Sequence, residues 1–278
     1  MILKIVLLVL VICFFIRIIF EEKEKYAAQN ASDGMAQTKG NKEIQADAMD
    51  ISITSTGKLA VMADGIGKEN IGKVYSNWAV KEFIHAFSFY KVLHNPKYFF
   101  ERTIYGIHKH IQKILDEYQS GVNLAAVLLA KGKLYYAVVG QVRIALVRDG
   151  KLIPLVEGQT IDIPAYQADK DERLIRQETI WSKEDNLVWN YIGKEGFRQI
   201  QIAESPIELK KEDLVIVMTR GIFEELSYAE LERVMINPTI TIQEKTNRII
   251  RQIERFPKQD KDNGSILVLL TDEAMGME

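Results

Sequence analysis

The spacing of apolar residues and local capping patterns predict four helices, two between residues 72 and 118 and two after residue 227. A spacing of three and four residues, which places side chains on one helix face, joins Ile104, Ile107, Ile111, Ile114 and Tyr118. The preceding stretch from Gly72 to Tyr90 shows a similar face. Two more helices are expected after Ser227 and Thr241, because each hydroxyl precedes a glutamate by three residues, the pattern of a capping box.

Short apolar or alternating runs predict strands at 49–53, 59–62, 124–130, 134–139, 143–147, 214–218 and 266–270. Turn sequences at 131–133 and 148–151 separate neighbouring runs, so 124–147 is expected to form an antiparallel meander. The last two runs are continuously apolar, which indicates strands buried on both faces. Grouped strands and paired helices predict the α+β class, with sheets covered by helices.

The first twenty residues are nearly all apolar and predict a transmembrane anchor. As a helix, residues 1–20 would span about 30 Å, the thickness of the hydrocarbon core. Lys4 and Arg17 lie near the ends of this run, where long side chains reach the lipid headgroups. A cleaved signal peptide, with a cleavage site near Ala27 and Ala28, is the competing interpretation.

The remaining chain divides into a tether and a domain. Residues 21–40 are polar and lack a hydrophobic period, so they are expected to form a juxtamembrane linker. Residues 41–278 have the size of one domain. Basic residues that follow the apolar run favour a single-pass membrane protein with a cytoplasmic C-terminal domain, and an extracytoplasmic domain is the alternative.

The composition argues against nucleic-acid binding and against sites built from cysteine. The chain has 36 Lys and Arg against 38 Asp and Glu, a net charge of -2, which lacks the basic excess of a nucleic-acid binder. Its single cysteine excludes an intrachain disulfide and a Cys-based zinc site.

Four short segments with acids or glycines lie at the ends of predicted strands: 45–48, 63–67, 219–221 and 262–264. Taken singly, each is also an ordinary turn sequence. Together they could converge in one cleft, where carboxylate and carbonyl oxygens suit Mg²⁺ or Mn²⁺. The chain contains neither a Walker A sequence nor a Rossmann fingerprint.

In order and spacing, these segments resemble the motifs of the PPM-type (type 2C) metal-dependent protein serine/threonine phosphatases. The resemblance covers about residues 40–272, through Gly40, Lys42, Gln45-Ala46-Asp47-Ala48, Ala63-Asp64-Gly65-Ile66-Gly67-Lys68, Gly121-Val122-Asn123-Leu124, Val139-Gly140-Gln141-Val142-Arg143, Arg148 to Leu152, Asp213-Leu214, Thr219-Arg220-Gly221-Ile222 and Asp262-Asn263. It implies two packed antiparallel β-sheets flanked by antiparallel helix pairs.

The resemblance also implies a site and a reaction. In that family two Mg²⁺ or Mn²⁺ ions activate a water that attacks phosphoserine or phosphothreonine. By position, Asp64 would bridge the metals, the Gly65 carbonyl and Asp262 would be further ligands, and Asp47 would hold the site. Lys42 stands at the place of a phosphate-binding arginine, where it keeps the charge and loses the bidentate fork.

Three acids of the family pattern are replaced, by Ala46, Gln141 and Arg220. The change at 220 is the severe one, because it puts a permanent cation where a metal ligand is expected. We expect the metal site to be degenerate at this position.

Arg220 is therefore expected to take part of the metal position and to pair with Asp64 and Asp262. Alternatively, Arg220 points to solvent and Glu224 or Glu225 becomes the ligand. Across these two possibilities, the site would hold one or two Mg²⁺ or Mn²⁺ ions, or none if Arg220 fills it.

Two functions follow from the resemblance. The chain is either a membrane-anchored phosphatase that hydrolyses phosphoserine and phosphothreonine in proteins with reduced activity, or an inactive pseudophosphatase. The pseudophosphatase would bind a phosphoprotein or regulate a kinase partner. The acids missing from the site favour impaired catalysis.

Overall fold

The computed structural model describes residues 33–68, 70–89, 91–114, 120–159 and 190–271. In these ranges the strands are β1 (Asp33–Thr38), β2 (Asp47–Thr54), β3 (Gly57–Ile66), β4 (Gly121–Ala130), β5 (Lys133–Val139), β6 (Arg143–Arg148), β7 (Lys151–Val156), β8 (Gln201–Ile202), β9 (Ile207–Glu208), β10 (Leu214–Met218) and β11 (Gly264–Leu270). The helices are α1 (Ile71–Phe89), α2 (Pro96–Ile114), α3 (Arg220–Phe223), α4 (Tyr228–Met235) and α5 (Ile242–Arg255).

The strands form two sheets. The first has the order β1-β11-β10-β6-β7, and the second has the order β2-β3-β4-β5-β8, with β9 also paired to β5. All the pairings between these strands are antiparallel. One cluster of buried side chains, which includes Met62 and Val127 of the second sheet and Val217 and Leu267 of the first, fills the space between the sheets.

Helices cover the outer face of each sheet, as predicted. Helices α1 and α2 bury Phe83, Phe87, Ile104 and Ile107 against the second sheet. Helices α4 and α5 cover the first sheet with a separate apolar cluster. Burial of about 25 cal/mol per Å² of apolar surface in three such layers is the main force that holds the sandwich together.

Local sequence signals place most helix and strand boundaries correctly. Ser227 caps α4 with the full reciprocal capping box, and Thr241 accepts a hydrogen bond from the Glu244 N–H at the start of α5. In α2, Ile114 is exposed although it continues the apolar spacing, and Tyr118 lies outside the described residues.

The predicted meander is wrong at its third strand. β4 pairs with β5, but the connection after β5 crosses to the other sheet, where β6 pairs with β7 and β10. A short connection between two antiparallel strands looks the same in sequence whether the strands share a sheet or face each other. The pairing of β6 with β10 is decided by contacts about seventy residues apart.

The predicted linker 21–40 is wrong for its last part, because Asp33–Thr38 form β1 at the edge of the first sheet. This strand buries only Gly34 and Thr38, so it shows no apolar alternation, and its pairing with β11 stabilises it instead. The predicted anchor 1–20 lies outside the described residues. Within the described ranges, every helix is too short or too polar to cross a bilayer.

Candidate active site

The candidate site lies where the ends of both sheets meet. In the second sheet, Asp47 at the start of β2 is paired in register with Asp64 near the end of β3. In the first sheet, Arg220 follows β10 and Asp262 precedes β11, and these two strands are neighbours. The prediction that the segments at strand ends converge in one place is confirmed. β3 runs further than predicted, so Asp64 lies within a strand rather than after one.

Asp47 links the two sheets. Its carboxylate oxygen Oδ2 accepts hydrogen bonds from Thr219 Oγ1 at 2.9 Å and Ser265 Oγ at 2.7 Å. Its other oxygen, Oδ1, is buried without a hydrogen-bond partner among the described residues. The pKa of Asp47 is raised well above its usual value, mainly by burial and secondly by the charge of Asp64.

Asp64 is held by Asn123 of β4, whose amide Nδ2 donates a 2.9 Å hydrogen bond to Asp64 Oδ2. Burial raises the pKa of Asp64, the Asn123 hydrogen bond opposes this shift, and the charge of Asp262 adds to it. The role of Asn123 was missed from sequence. Its signal was a single polar residue in the otherwise apolar run GVNLAAVLLA, directly opposite Asp64 in the register.

Gly140 makes room for Asn123. A side chain at Gly140 would place its Cβ 2.0 Å from Asn123 Oδ1, and Gly140 has a φ of +81°. Both facts require glycine, because an L-residue strains at positive φ and the added carbon would collide with the amide. Gln141, the next residue, is buried in the β5–β6 connection.

Arg220 forms an ion pair with Asp262, as predicted. Arg220 Nε donates to Asp262 Oδ2 at 3.0 Å, and Nη2 donates to the same oxygen. The other oxygen, Oδ1, accepts the Asn263 backbone N–H at 2.9 Å. Burial alone would lower the pKa of Arg220, but the adjacent Asp262 raises it, so the guanidinium stays charged.

The predicted pairing of Arg220 with Asp64 is wrong, because Arg220 acts on Asp64 only at a distance. Its charge lowers the pKa of Asp64, while no hydrogen bond joins these two described side chains. The alternative in which Arg220 points to solvent and Glu224 or Glu225 becomes the ligand is wrong in the placement of Arg220 and in the use of Glu225. Arg220 is held by Asp262, and Glu225 is paired with Lys258 at 2.5 Å.

Asn263 fixes the loop that carries Asp262. Its amide Nδ2 donates to the carbonyls of Lys39 and Ile44 at 2.9 and 3.0 Å, and its Oδ1 accepts the Ala46 N–H at 2.8 Å. The Ala46 carbonyl in turn accepts a 2.5 Å hydrogen bond from Ser76 Oγ in α1. Position 46 therefore serves the site through its backbone, in spite of its missing acid.

Two predicted site residues have other neighbours. Lys42 is exposed and pairs with Asp260 at 2.8 Å, at the outer edge of the same loop. The carbonyl of Gly65 lies against Gly72 at the start of α1, so close that a Cβ at Gly72 would stand 2.7 Å from it.

The donor set does not fit a pair of metal ions. Across the described ranges, no three His, Cys, Asp or Glu side chains are grouped closely enough to hold a metal. The carboxylate oxygens of Asp262 are engaged by Arg220 and by the Asn263 N–H. Among the described residues, Asp47 Oδ1 and Asn123 Oδ1 are buried without a hydrogen-bond partner, and Asp47 Oδ1, beside Asp64, suits one hard cation with water as a further ligand.

Neither a family model nor a curated protein matches the sequence. Solved structures do match. The S. agalactiae serine/threonine phosphatase superposes with a TM-score of 0.73 at 20% identity, over 86% of this chain and 99% of that chain. PstP/Ppp of Mycobacterium tuberculosis gives 0.69 at 17% identity, over 86% and 98%. MsPP from Mycobacterium smegmatis, a PPM Ser-Thr phosphatase in complex with cacodylate, gives 0.66 at 18% identity, over 86% and 98%. The chain has the fold of the PPM-type serine/threonine phosphatases.

Proposed function

We propose that this PPM-fold chain is a membrane-anchored protein that acts on phosphoserine and phosphothreonine in proteins, as a phosphatase of strongly reduced activity. The observation that carries the proposal is the Asp47–Asp64 pair with its Asn123 support, at the place where the two sheets meet. Two neighbouring carboxyls whose pKa values are both raised by burial are typical of a functional site.

The reduced activity follows from Arg220. Metal-dependent phosphatases use paired ions to hold the attacking and leaving oxygens, and here Asp262 is committed to a guanidinium. A single Mg²⁺ or Mn²⁺ held by Asp64, Asp47 and the Gly65 carbonyl would supply charge neutralisation for a phosphate. The two-ion route is not assigned to this chain.

The cations of the chain itself contribute to recognition. The side chains of Arg220 and Lys42 are 38% and 41% exposed, and each pairs with an aspartate of the loop 260–262. Asp260 and Asp262 are two residues apart in this loop, so the two cations lie near the same edge of the site. A phosphate dianion that approaches this edge would be attracted by both.

A second candidate function is a pseudophosphatase that binds a phosphoprotein or regulates a kinase without turnover. The Arg220–Asp262 ion pair favours it, because this pair neutralises part of the acidic cluster without a metal. The two candidates share the ligand and differ in the reaction.

The membrane part of the proposal rests on the apolar sequence of residues 1–20, with the C-terminal domain in the cytoplasm. Substrates or kinase partners would then be phosphoproteins near the cytoplasmic face, and no nucleic acid is expected as a partner at a net charge of -2.

The deciding experiment is hydrolysis of a phosphothreonine peptide by the full chain in detergent, with Mn²⁺ or with EDTA, beside Asp64→Asn and Arg220→Asp. Slow turnover that needs Mn²⁺ and Asp64 supports the phosphatase. Peptide binding without turnover, measured by fluorescence anisotropy, supports the pseudophosphatase. If the peptide is neither bound nor hydrolysed, both candidate functions are contradicted.

A further inference from the structure

The connection between α1 and α2 exposes aromatic and basic side chains. Phe89, the last residue of α1, is 74% exposed, and Tyr98 in the first turn of α2 is 53% exposed. Lys91 lies between them in sequence, and Arg102 donates a 3.2 Å hydrogen bond to the Tyr98 hydroxyl. We call Phe89, Lys91, His94, Tyr98 and Arg102 the hairpin tip. Exposed aromatic side chains grouped with basic ones are typical of an interaction surface.

A cavity of about 230 Å³ opens within the hairpin tip. Val92 and Phe99 are its buried lining residues, and its exposed ones are Lys91, His94, Asn95, Tyr98 and Arg102. None of the described residues that line this cavity is acidic. An apolar interior under basic side chains suits a ligand with an anionic group and a hydrocarbon part.

The hairpin tip lies at the end of the domain opposite the active site. Helix α1 starts at the site, where Gly72 touches Gly65, and its 19 residues carry it about 28 Å away. The start of α2 lines a second cavity with Tyr135, which pairs with Leu128 at the far end of β4.

The N-terminal part of the chain joins the domain at this same far end. Asp33, the first described residue, pairs with Lys58 at 2.8 Å, and Lys58 pairs in register with Leu129, the neighbour of Leu128. Residues 1–32 therefore connect to the end of the sandwich that carries the hairpin tip, and the site faces the other way.

We propose that the hairpin tip contacts the surface of an anionic phospholipid bilayer, an inference that rests on the membrane anchoring in the proposed function. Lys91 and Arg102 pair with lipid phosphates, and Phe89 and Tyr98 lie in the interfacial layer. Aromatic side chains with basic neighbours are the combination that membrane interfaces favour, and each basic residue near an anionic surface adds attraction. The contact holds the active site away from the lipid, toward soluble phosphoproteins.

The test uses the full chain in nanodiscs of phosphatidylcholine with or without phosphatidylglycerol. A Cys13→Ser background carries one new thiol, Ser88→Cys beside Phe89 or Ile114→Cys at the other end of α2, each labelled with a fluorophore. Both positions are exposed, so the labels report lipid contact rather than a buried pocket. A quencher attached to the lipid headgroup is the readout.

We expect quenching about threefold stronger at position 88 than at 114 in anionic nanodiscs, with the difference reduced by high salt and by Lys91→Gln with Arg102→Gln. Equal quenching at both positions, or a signal at 88 that ignores lipid charge, overturns the proposal. If the chain stays in the nanodisc after an alkaline wash but the label at position 88 is not quenched, the lipid contact of the hairpin tip is overturned and the anchor is not. A chain that leaves the nanodisc overturns the anchor and the surface together, while the phosphopeptide assay in detergent tests the reaction separately.

Discussion

Arg220 directs two nitrogen donors, Nε and Nη2, at one carboxylate oxygen of Asp262, so a guanidinium compensates an acid of the site. The effect reaches Asp64: burial raises the pKa of this residue, the charge of Asp262 raises it further, and the charge of Arg220 lowers it. The charge balance of the site is therefore set by side chains, and the site should become more negative when Arg220 is replaced by an acid.

Arg220→Asp should restore a cation site. The substitution removes the guanidinium and adds a carboxylate beside Asp262 and Asp64, so the acids repel one another until a divalent ion binds. We expect a lower melting temperature than wild type in EDTA, a rise of several degrees with Mn²⁺, and measurable Mn²⁺ binding by titration calorimetry. The isosteric control is Arg220→Gln, which should bind Mn²⁺ less tightly than Arg220→Asp. Two tightly bound ions per wild-type chain would contradict the role given to Arg220.

Gly140→Ala should destabilise the domain through Asn123. The new Cβ would fall 2.0 Å from Asn123 Oδ1 and would also sit at a φ of +81°. Gly132 is a matched control, because its φ is +67° and nothing lies within 4 Å of a Cβ there. Gly132→Ala should cost about 1 kcal/mol for backbone strain, and Gly140→Ala at least about 2 kcal/mol more, in urea unfolding. Equal losses would mean that the Asn123 contact is readily relieved.

Asp47→Ala should weaken the junction of the two sheets. It leaves the buried hydroxyls of Thr219 and Ser265 without their acceptor, which costs about 1–3 kcal/mol for unsatisfied buried groups. The control is Asp50→Ala, an exposed position on the same strand, where about 0.5 kcal/mol or less is expected. Denaturant unfolding of both variants measures the difference, and a loss at Asp47 no greater than at Asp50 would rule out a structural role for this junction.

His108 should make stability depend on pH. Its Nδ1 accepts the Gly193 N–H at 3.1 Å, so it must be unprotonated, and burial lowers its pKa. The unfolded chain then binds the proton more readily, so stability is full above about pH 6.5 and falls as the pH drops below it. When the pH is lowered from 7.5 to 5.5, the melting temperature of wild type should fall further than that of His108→Ala. His85→Ala is the control, because His85 is exposed, and it should follow wild type.

The sequence predicts those parts of the fold that are set by local patterns. The apolar face of Ile104, Ile107 and Ile111 and the capping box at Ser227 are properties of neighbouring residues, and both are confirmed. β1 and the partner of β6 depend on strands far away in sequence, which a local pattern does not contain.

The candidate site follows the same rule. The strand-end segments converge as expected from the resemblance, and Arg220 pairs with Asp262. The pairing of Lys42 with Asp260 was not predictable, because the conformation of the Asp260 loop is set by Asn263, whose amide bonds the distant Lys39 carbonyl. The role of Asn123 was not predictable from local sequence, because strand register alone brings it opposite Asp64.

The pairing of β1 with β11 has a consequence for the order of synthesis. Asp33 is paired in register with Leu269, and Thr38 with Gly264. β1 can therefore join its sheet only after β11 has been synthesised. The second sheet, with β2 to β5 consecutive in the chain, can assemble earlier. The site needs Asp47 from β2 and Ser265 from β11, so it is completed only after β11 has been synthesised.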